Sequence, residues 1–67
     1  MPYFVASITD RRVRRFAYPH ARLETAMDFA WEVLKTGCSD VWVSDERGQK
    51  VADRQAVTDY ADETGDD

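Results

Sequence analysis

The alternation of apolar and polar residues predicts two strands near the N-terminus. Residues 2–8 are rich in aromatic and β-branched side chains, and the polar segment 9–12 separates them from a second such run at residues 13–18. Two runs of this kind joined by a short polar segment are typical of a β-hairpin. Pro19 has no backbone N–H and favours extended geometry in the residue before it, so we expect the second strand to end there.

The next segment has the periodicity of an amphipathic helix over about residues 22–36. Its apolar side chains fall on one arc when successive residues are turned by about 100°, and polar side chains fill the rest of the circle. The apolar set is Leu23, Ala26, Met27, Ala30, Val33 and Leu34, flanked by Phe29 and Trp31. Gly37 suits the left-handed residue that closes a helix, whereas neither Ala21 nor Arg22 is a good N-cap.

After the helix, the period of the pattern changes to that of a strand. Val41 and Val43 point to one side of an extended chain and Trp42 points to the other. The polar turn 45–48 then leads into a further short strand at residues 49–52. We therefore expect a second hairpin.

A short C-terminal helix over about residues 54–61 is the last predicted element. Asp53 is a suitable N-cap for it. One side of this helix would carry Ala56, Val57, Tyr60 and Ala61. Residues 62–67 contain four acids and nothing to bury, so we predict an acidic disordered tail.

The order strand, strand, helix, strand, strand (ββαββ) indicates an α+β fold. We expect one main helix on a four-stranded, mainly antiparallel sheet. With 67 residues and a mass of 7.7 kDa, the chain is large enough for a single domain, which we predict over residues 1–61. The order of the strands within the sheet stays open at this point.

The predicted sheet is apolar on both faces, whereas one helix covers only one of them. If the first hairpin has an even loop about Asp10 and Arg11, Ile8 faces Val13 on one side. The other side then carries an aromatic face that we expect to remain exposed beyond the helix, formed by Tyr3, Val5, Phe16 and Tyr18 together with Trp42.

Exposed apolar patches of several hundred Å² usually mark an interaction site, so this face requires an occupant. Three occupants are open: the C-terminal segment with Val57 and Tyr60, a second copy of the chain, or a different protein or nucleic acid. A second copy would give two thin domains a shared core. An odd loop in the hairpin would weaken this reasoning, because Phe16 and Tyr18 would then join Phe4, Ala6 and Ile8.

Arginines are concentrated in one part of an otherwise acidic chain. The formal net charge is −4, yet the segment 11–22 contains five arginines and no acid. Guanidinium groups near Phe16 and Tyr18 on a sheet are typical of surfaces that bind single-stranded nucleic acid. Arginines on a strand also discourage aggregation at a sheet edge, or pair with acidic groups of the helix or tail. The candidate nucleic-acid contacts are Arg11, Arg12, Arg14 and Arg15.

No set of catalytic, metal-binding or cofactor-binding residues emerges from the pattern. The single Cys38 and the single His20 exclude an internal disulfide and the usual zinc sites. Glu24, Asp28 and Glu32 share an exposed side of the predicted helix, where nothing encloses them for acid–base catalysis. We therefore expect a protein without enzymatic activity, cofactor or metal.

The apolar runs are all shorter than the roughly 18 residues that a membrane span needs. The N-terminus lacks the charged segment, long apolar stretch and cleavage site of a signal peptide. We therefore expect a cytoplasmic protein with no membrane partner.

Two stretches of the chain carry a resemblance to known proteins. Residues 23–37 begin Leu-Glu-Thr-Ala and end in glycine, and residues 40–48 read Asp-Val-Trp-Val-Ser-Asp before the turn glycine. The chain resembles, over about residues 3–53, small uncharacterised bacterial proteins built as strand pair, helix and strand pair. That resemblance implies an α+β fold and no assigned role. The helix pattern Leu-Glu-x-Ala-x-x-x-Ala is also similar to HicB-type antitoxins, although the first hairpin lacks their glycine-rich turn and Pro-Gly-Cys segment.

The leading hypothesis from the sequence is a small non-enzymatic interaction module that forms a homodimer through its aromatic sheet face. The alternative is a nucleic-acid-binding or antitoxin-like regulator that uses the arginines of the first hairpin.

Overall fold

The computed structural model describes residues 2–63, which form a four-stranded antiparallel sheet and two helices. The predicted α+β fold with one main helix is confirmed. The strands are β1 (Tyr3–Thr9), β2 (Arg12–Arg15), β3 (Asp40–Asp45) and β4 (Lys50–Ala52). The helices are α1 (Leu23–Lys35) and α2 (Arg54–Glu63).

The strands lie in the order β2-β1-β3-β4, so β1 and β3 form the middle of the sheet. The first hairpin has the register expected for an even loop, with Ile8 opposite Val13 and Ala6 opposite Arg15. Beyond β2 the chain stays beside β1, because Tyr3 and His20 exchange backbone hydrogen bonds of 2.8 and 2.9 Å. The connection to α1 is thereby fixed to the start of β1.

The turn between β1 and β2 holds two residues in the left-handed region, Asp10 at φ 53° and Arg11 at φ 67°. Two successive residues with positive φ match the right-handed twist of the strands in a hairpin. Glycine is preferred at the second position, because the Cβ of an L-residue there comes too close to the following carbonyl oxygen. Arg11 therefore carries a local steric cost.

Helix α1 ends as its sequence predicts. Gly37 has φ 99°, and its N–H donates to the carbonyl oxygen of Leu34 at 3.1 Å. The N-terminal end is less well capped, since Arg22 stands at the N-cap position and its side chain makes no capping hydrogen bond.

Helix α2 is capped by Asp53, as expected, because the Oδ1 atom of Asp53 accepts a hydrogen bond of 2.9 Å from the N–H of Ala56. The helix continues to Glu63, two residues past the boundary at residue 61 given by the sequence. The rest of the predicted acidic tail, residues 64–67, lies outside the described residues.

Both helices pack on the same face of the sheet. Val5, Val41 and Val43 on the sheet share one core cluster with Ala30 of α1 and Val57 of α2. The C-terminal segment therefore does not cover the second face, because the side of α2 that carries Val57 is already used in this core. The result is a two-layer molecule measuring 31 × 30 × 16 Å.

The strained turn gives a prediction about stability. Arg11→Gly should raise the free energy of unfolding by about 1 kcal/mol, because glycine adopts the left-handed conformation without the Cβ clash. Urea denaturation followed by circular dichroism measures the change. Arg12→Gly is the matched control, since Arg12 lies in a strand where glycine costs stability. A destabilised Arg11→Gly would contradict the account of the turn.

A second prediction concerns the contribution of α2 to the core. Val57→Ala should lower the free energy of unfolding by about 2 kcal/mol, because Val57 is 0% exposed and the lost methyl groups leave a cavity. The control is Val51→Ala, which truncates a side chain that is 44% exposed and should change stability by less than about 0.5 kcal/mol. Equal effects in thermal denaturation would show that α2 is not part of the cooperative unit.

Candidate interaction surface

The face of the sheet opposite the helices carries its own group of apolar side chains. Strand β1 alternates, so Phe4, Ala6 and Ile8 point away from the residues that pack under α1 and α2. Direct cross-strand partners point to the same side, which adds Val13 opposite Ile8 and Trp42 opposite Ala6. We call these five residues the open face.

The side chains of the open face are neighbours in the plane of the sheet, either as direct cross-strand partners or as residues two apart on β1. Ala6 is only 3% exposed, because Arg15 and Trp42 flank it as its cross-strand partners. Phe4, Ile8 and Trp42 are half-buried although neither helix covers them, and Val13 near the edge is 51% exposed. The open face is therefore an apolar strip over which the described residues place no second layer.

Charged residues border this strip. Arg15 lies beside Ala6 on the edge strand β2, and Lys50 lies opposite Ser44 at the other edge. The Nζ atom of Lys50 stands 5.2 Å from the centre of the Trp42 ring, which is a cation–π contact. Asp40, opposite Ile8, supplies a carboxylate at one end of the strip. The border thus carries two cations and one anion.

The aromatic face predicted from the sequence is wrong, because most of its five residues lie on the side of the sheet that packs against the helices. Val5 is 1% exposed and belongs to the core under the helices. The reason is the pairing of β1 with β3, which sets Val5 opposite Val43 and so places Tyr3 and Val5 on the helix side. Trp42 projects to the opposite side, because it alternates with Val41 and Val43.

Phe16 and Tyr18 also lie on the helix side of the sheet. The Phe16 ring packs edge-on against Phe29 of α1 with a centroid distance of 5.1 Å, and the Tyr18 ring lies 6.2 Å from the same residue. Tyr18 is nevertheless 64% exposed. Of the five predicted residues, only Trp42 lies on the open face.

Sequence reasoning therefore missed four members of the open face, namely Phe4, Ala6, Ile8 and Val13. The hairpin register did group them correctly on one side. Val41 and Val43 of β3 point toward the helices. The sequence did not indicate which side of the first hairpin points the same way. That link depends on the contact between β1 and β3, which are far apart along the chain.

The candidate nucleic-acid contacts are spread around the first hairpin. Arg11 stands in the turn, and the side chain of Arg14 lies on the helix side with its guanidinium carbon 5.0 Å from the centre of the Phe16 ring. Arg15 projects to the side of the open face. Arg12 alternates with Val13 and so shares the side of Arg14. The structure does not bring the four arginines onto a single surface.

These arginines are not neutralised by neighbouring acids within residues 2–63. The ion pair in that part of the chain joins Lys35 to Glu32 at 3.1 Å on the exposed side of α1. All four arginines of the hairpin are exposed. The first hairpin is therefore a basic region, with arginines on both sides, on a chain whose net charge is −4.

An open groove lies between α1 and α2 on the other side of the molecule. Its lining includes the aromatic residues Phe29, Trp31 and Tyr60 and the acidic residues Asp28 and Glu32. Partial burial, followed by the negative charge of Asp28, raises the pKa of the Tyr60 hydroxyl above its ordinary value of 10.0. This groove therefore favours the protonated form of the phenol.

His20 borders the same groove. Its ring lies 5.4 Å from Phe29, and its Nε2 atom is buried without a hydrogen-bond partner among the described residues. The imidazole thus packs as an aromatic group. Cys38 is buried elsewhere, where its Sγ atom donates to the carbonyl oxygen of Val33 at 3.5 Å.

The described part of the chain shows no group of three or more metal-ligating side chains. Neither of its two helices has the length and apolar character needed to cross a membrane. Comparison with protein-family models, with curated proteins and with solved structures gives no match to this chain. Its function therefore has to be inferred from its own surfaces.

The Tyr60 environment gives a prediction about pH dependence. Ultraviolet absorbance should show one tyrosine, Tyr60, that ionises with a pKa above 10.0. This step should disappear from the titration of Tyr60→Phe. In Asp28→Asn the pKa of Tyr60 should be lower than in the wild-type chain. Because the folded state holds this proton more tightly than the unfolded state, the contribution to stability is complete below pH 10.0 and is lost as the pH rises through the folded pKa. Asp59→Asn is the control and should leave the titration unchanged.

Proposed function

We propose that the chain is a non-enzymatic interaction module that pairs with a second copy of itself through the open face. The observation that supports this is the apolar strip of Phe4, Ala6, Ile8, Val13 and Trp42 on a sheet whose other face carries both helices. Contiguous apolar strips on the surface of small proteins usually mark contact sites.

Stacking two sheets face to face would supply a layer over the open face of each copy. Packed sheets lie about 10 Å apart, and the side chains of their inner faces interdigitate. Phe4, Ile8 and Trp42 are large enough to fill such a space. A twofold axis is the simplest arrangement, since the same strip then serves both copies.

The size of the strip limits the strength of this dimer. Strands of seven, four, six and three residues, about 4.8 Å apart and rising about 3.4 Å per residue, give a footprint of roughly 300 Å² for each copy. The total buried surface of roughly 600 Å² lies below the roughly 1,200–2,000 Å² of stable protein interfaces. We therefore propose a weak dimer whose population depends on concentration.

The border of the strip predicts how salt affects the pairing. Arg15 and Lys50 exceed Asp40 by one positive charge, so two stacked copies repel each other slightly. Salt screens this repulsion. Pairing should therefore strengthen as salt is added.

A second proposal is a nucleic-acid-binding or antitoxin-like role for the arginine hairpin. It is supported by Arg15 and Trp42, which flank Ala6 and so combine a cation with a ring, as in surfaces that bind single strands. Here the affinity for an oligonucleotide would fall steeply with salt. The two proposals therefore predict opposite responses to salt.

We also propose a cytoplasmic location. The thiol of Cys38 is free and buried, which suits a reducing compartment.

The dimer proposal can be tested by sedimentation equilibrium over a hundredfold range of concentration. The wild-type chain should pass from monomer to dimer, and Trp42→Ala should weaken the association by about tenfold, because it removes the largest apolar side chain of the strip. Tyr18→Ala is the matched control, since it removes an exposed ring on the helix side. A monomer at every concentration, or equal effects of both substitutions, would refute the proposal.

A further inference from the structure

Strand β2 forms one edge of the sheet. The strand order sets β1 on one side of it and leaves the other side without a neighbouring strand among the described residues. All four of its residues are exposed. An edge of this kind presents backbone N–H and C=O groups that can pair with another extended chain.

The hairpin register identifies which backbone groups are available. The N–H of Phe16 donates to the carbonyl oxygen of Val5 at 3.0 Å, so the backbone of Phe16 points toward β1. Hydrogen-bonded and non-hydrogen-bonded pairs alternate in an antiparallel ladder, and Arg14 and Arg12 therefore also point toward β1. The N–H and C=O groups of Val13 and Arg15 consequently point outward.

The side chains around these outward groups are basic on both faces of the sheet. Arg12 and Arg14 lie on the helix side and Arg15 lies on the side of the open face. None of them forms an ion pair within residues 2–63. An extended chain that paired with Val13 and Arg15 would therefore lie between guanidinium groups above and below.

We propose that β2 is a docking edge for an extended acidic segment of a partner protein, which adds to the sheet as a fifth strand. Backbone hydrogen bonds to Val13 and Arg15 would align the segment, as in other cases of strand addition. Its carboxylates would pair across the strands with Arg14 and Arg15, while a residue opposite Val13 would be apolar. This docking edge uses the outward backbone groups of β2, shares only Val13 with the open face, and goes beyond the proposed self-association.

Charge also selects the partner. A second copy of β2 would place arginine against arginine, which destabilises a strand pair, so the edge opposes pairing with itself. An acidic strand would replace this repulsion between arginines with attraction between carboxylates and arginines. A nucleic acid would use the arginines but could not satisfy the regularly spaced backbone groups, and Phe16 is already covered by Arg14 and Phe29.

The experiment uses a short fluorescent peptide rich in glutamate and valine, titrated with the full chain and followed by anisotropy. Arg14→Gln should weaken binding by about threefold, as expected for an exposed charge pair. Arg54→Gln, an exposed arginine outside the hairpin, is the matched control and should leave the affinity unchanged. The same should hold for Trp42→Ala, because it alters the open face and leaves the edge intact.

The backbone contribution is tested from both sides. Val13→Pro removes an outward N–H without breaking the hairpin ladder and should weaken binding by about tenfold. The same peptide carrying N-methyl groups on the amides that face β2 should bind the wild-type chain with a similarly reduced affinity. This measurement does not depend on whether the proline variant folds. In hydrogen exchange, the peptide should slow the amides of Val13 and Arg15 and leave that of Arg14 unchanged.

Three outcomes would overturn the docking edge. The first is no binding of the peptide at low salt, and the second is equal binding of the N-methylated peptide. The third is a single-stranded oligonucleotide that displaces the peptide and binds Val13→Pro as tightly as the wild-type chain, which would assign the arginines to a nucleic acid. A monomeric wild-type chain that still binds the peptide would refute the self-association and leave the docking edge supported.

Discussion

The arrangement of the whole molecule depends on the register between β1 and β3. Val5 stands opposite Val43 and Ser7 opposite Val41, and this pairing joins the two hairpins into one sheet. It decides that one side of β1 enters the core with the helices and that the other side does not. A shift of one residue would exchange the two sides of β1 and send Phe4, Ala6 and Ile8 under the helices.

Features that depend on neighbouring residues follow from the sequence. The hairpin register, the helix closed by Gly37 and the cap at Asp53 each involve groups within a few positions of one another. The chemistry of side chain and backbone leaves little choice at Gly37 and Asp53, whereas the even loop of the hairpin was one of two alternatives that the sequence left open. The order of the elements and the α+β fold follow from the same local patterns, because each pattern identifies one strand or helix.

The composition of the candidate site could not be derived in the same way. Both sides of β1 are apolar enough to form a core, so hydrophobicity alone does not choose between them. The pairing of β1 with β3 and the placement of α2 on the helix side make that choice through contacts distant in sequence. Trp42 was identifiable, because it alternates with two valines, whereas Phe4 and Ile8 required the assembled sheet.

The attachment of α2 has a consequence for the internal dynamics of the fold. Val57 is the buried residue of this helix, whereas α1, β1 and β3 each contribute two or more buried residues. Elements with few buried contacts open first in the native state, independently of global unfolding. Helix α2 is therefore held less firmly than α1, and its transient detachment would admit solvent, or a protease, beside β3 and β4 while β1 and β3 stay paired.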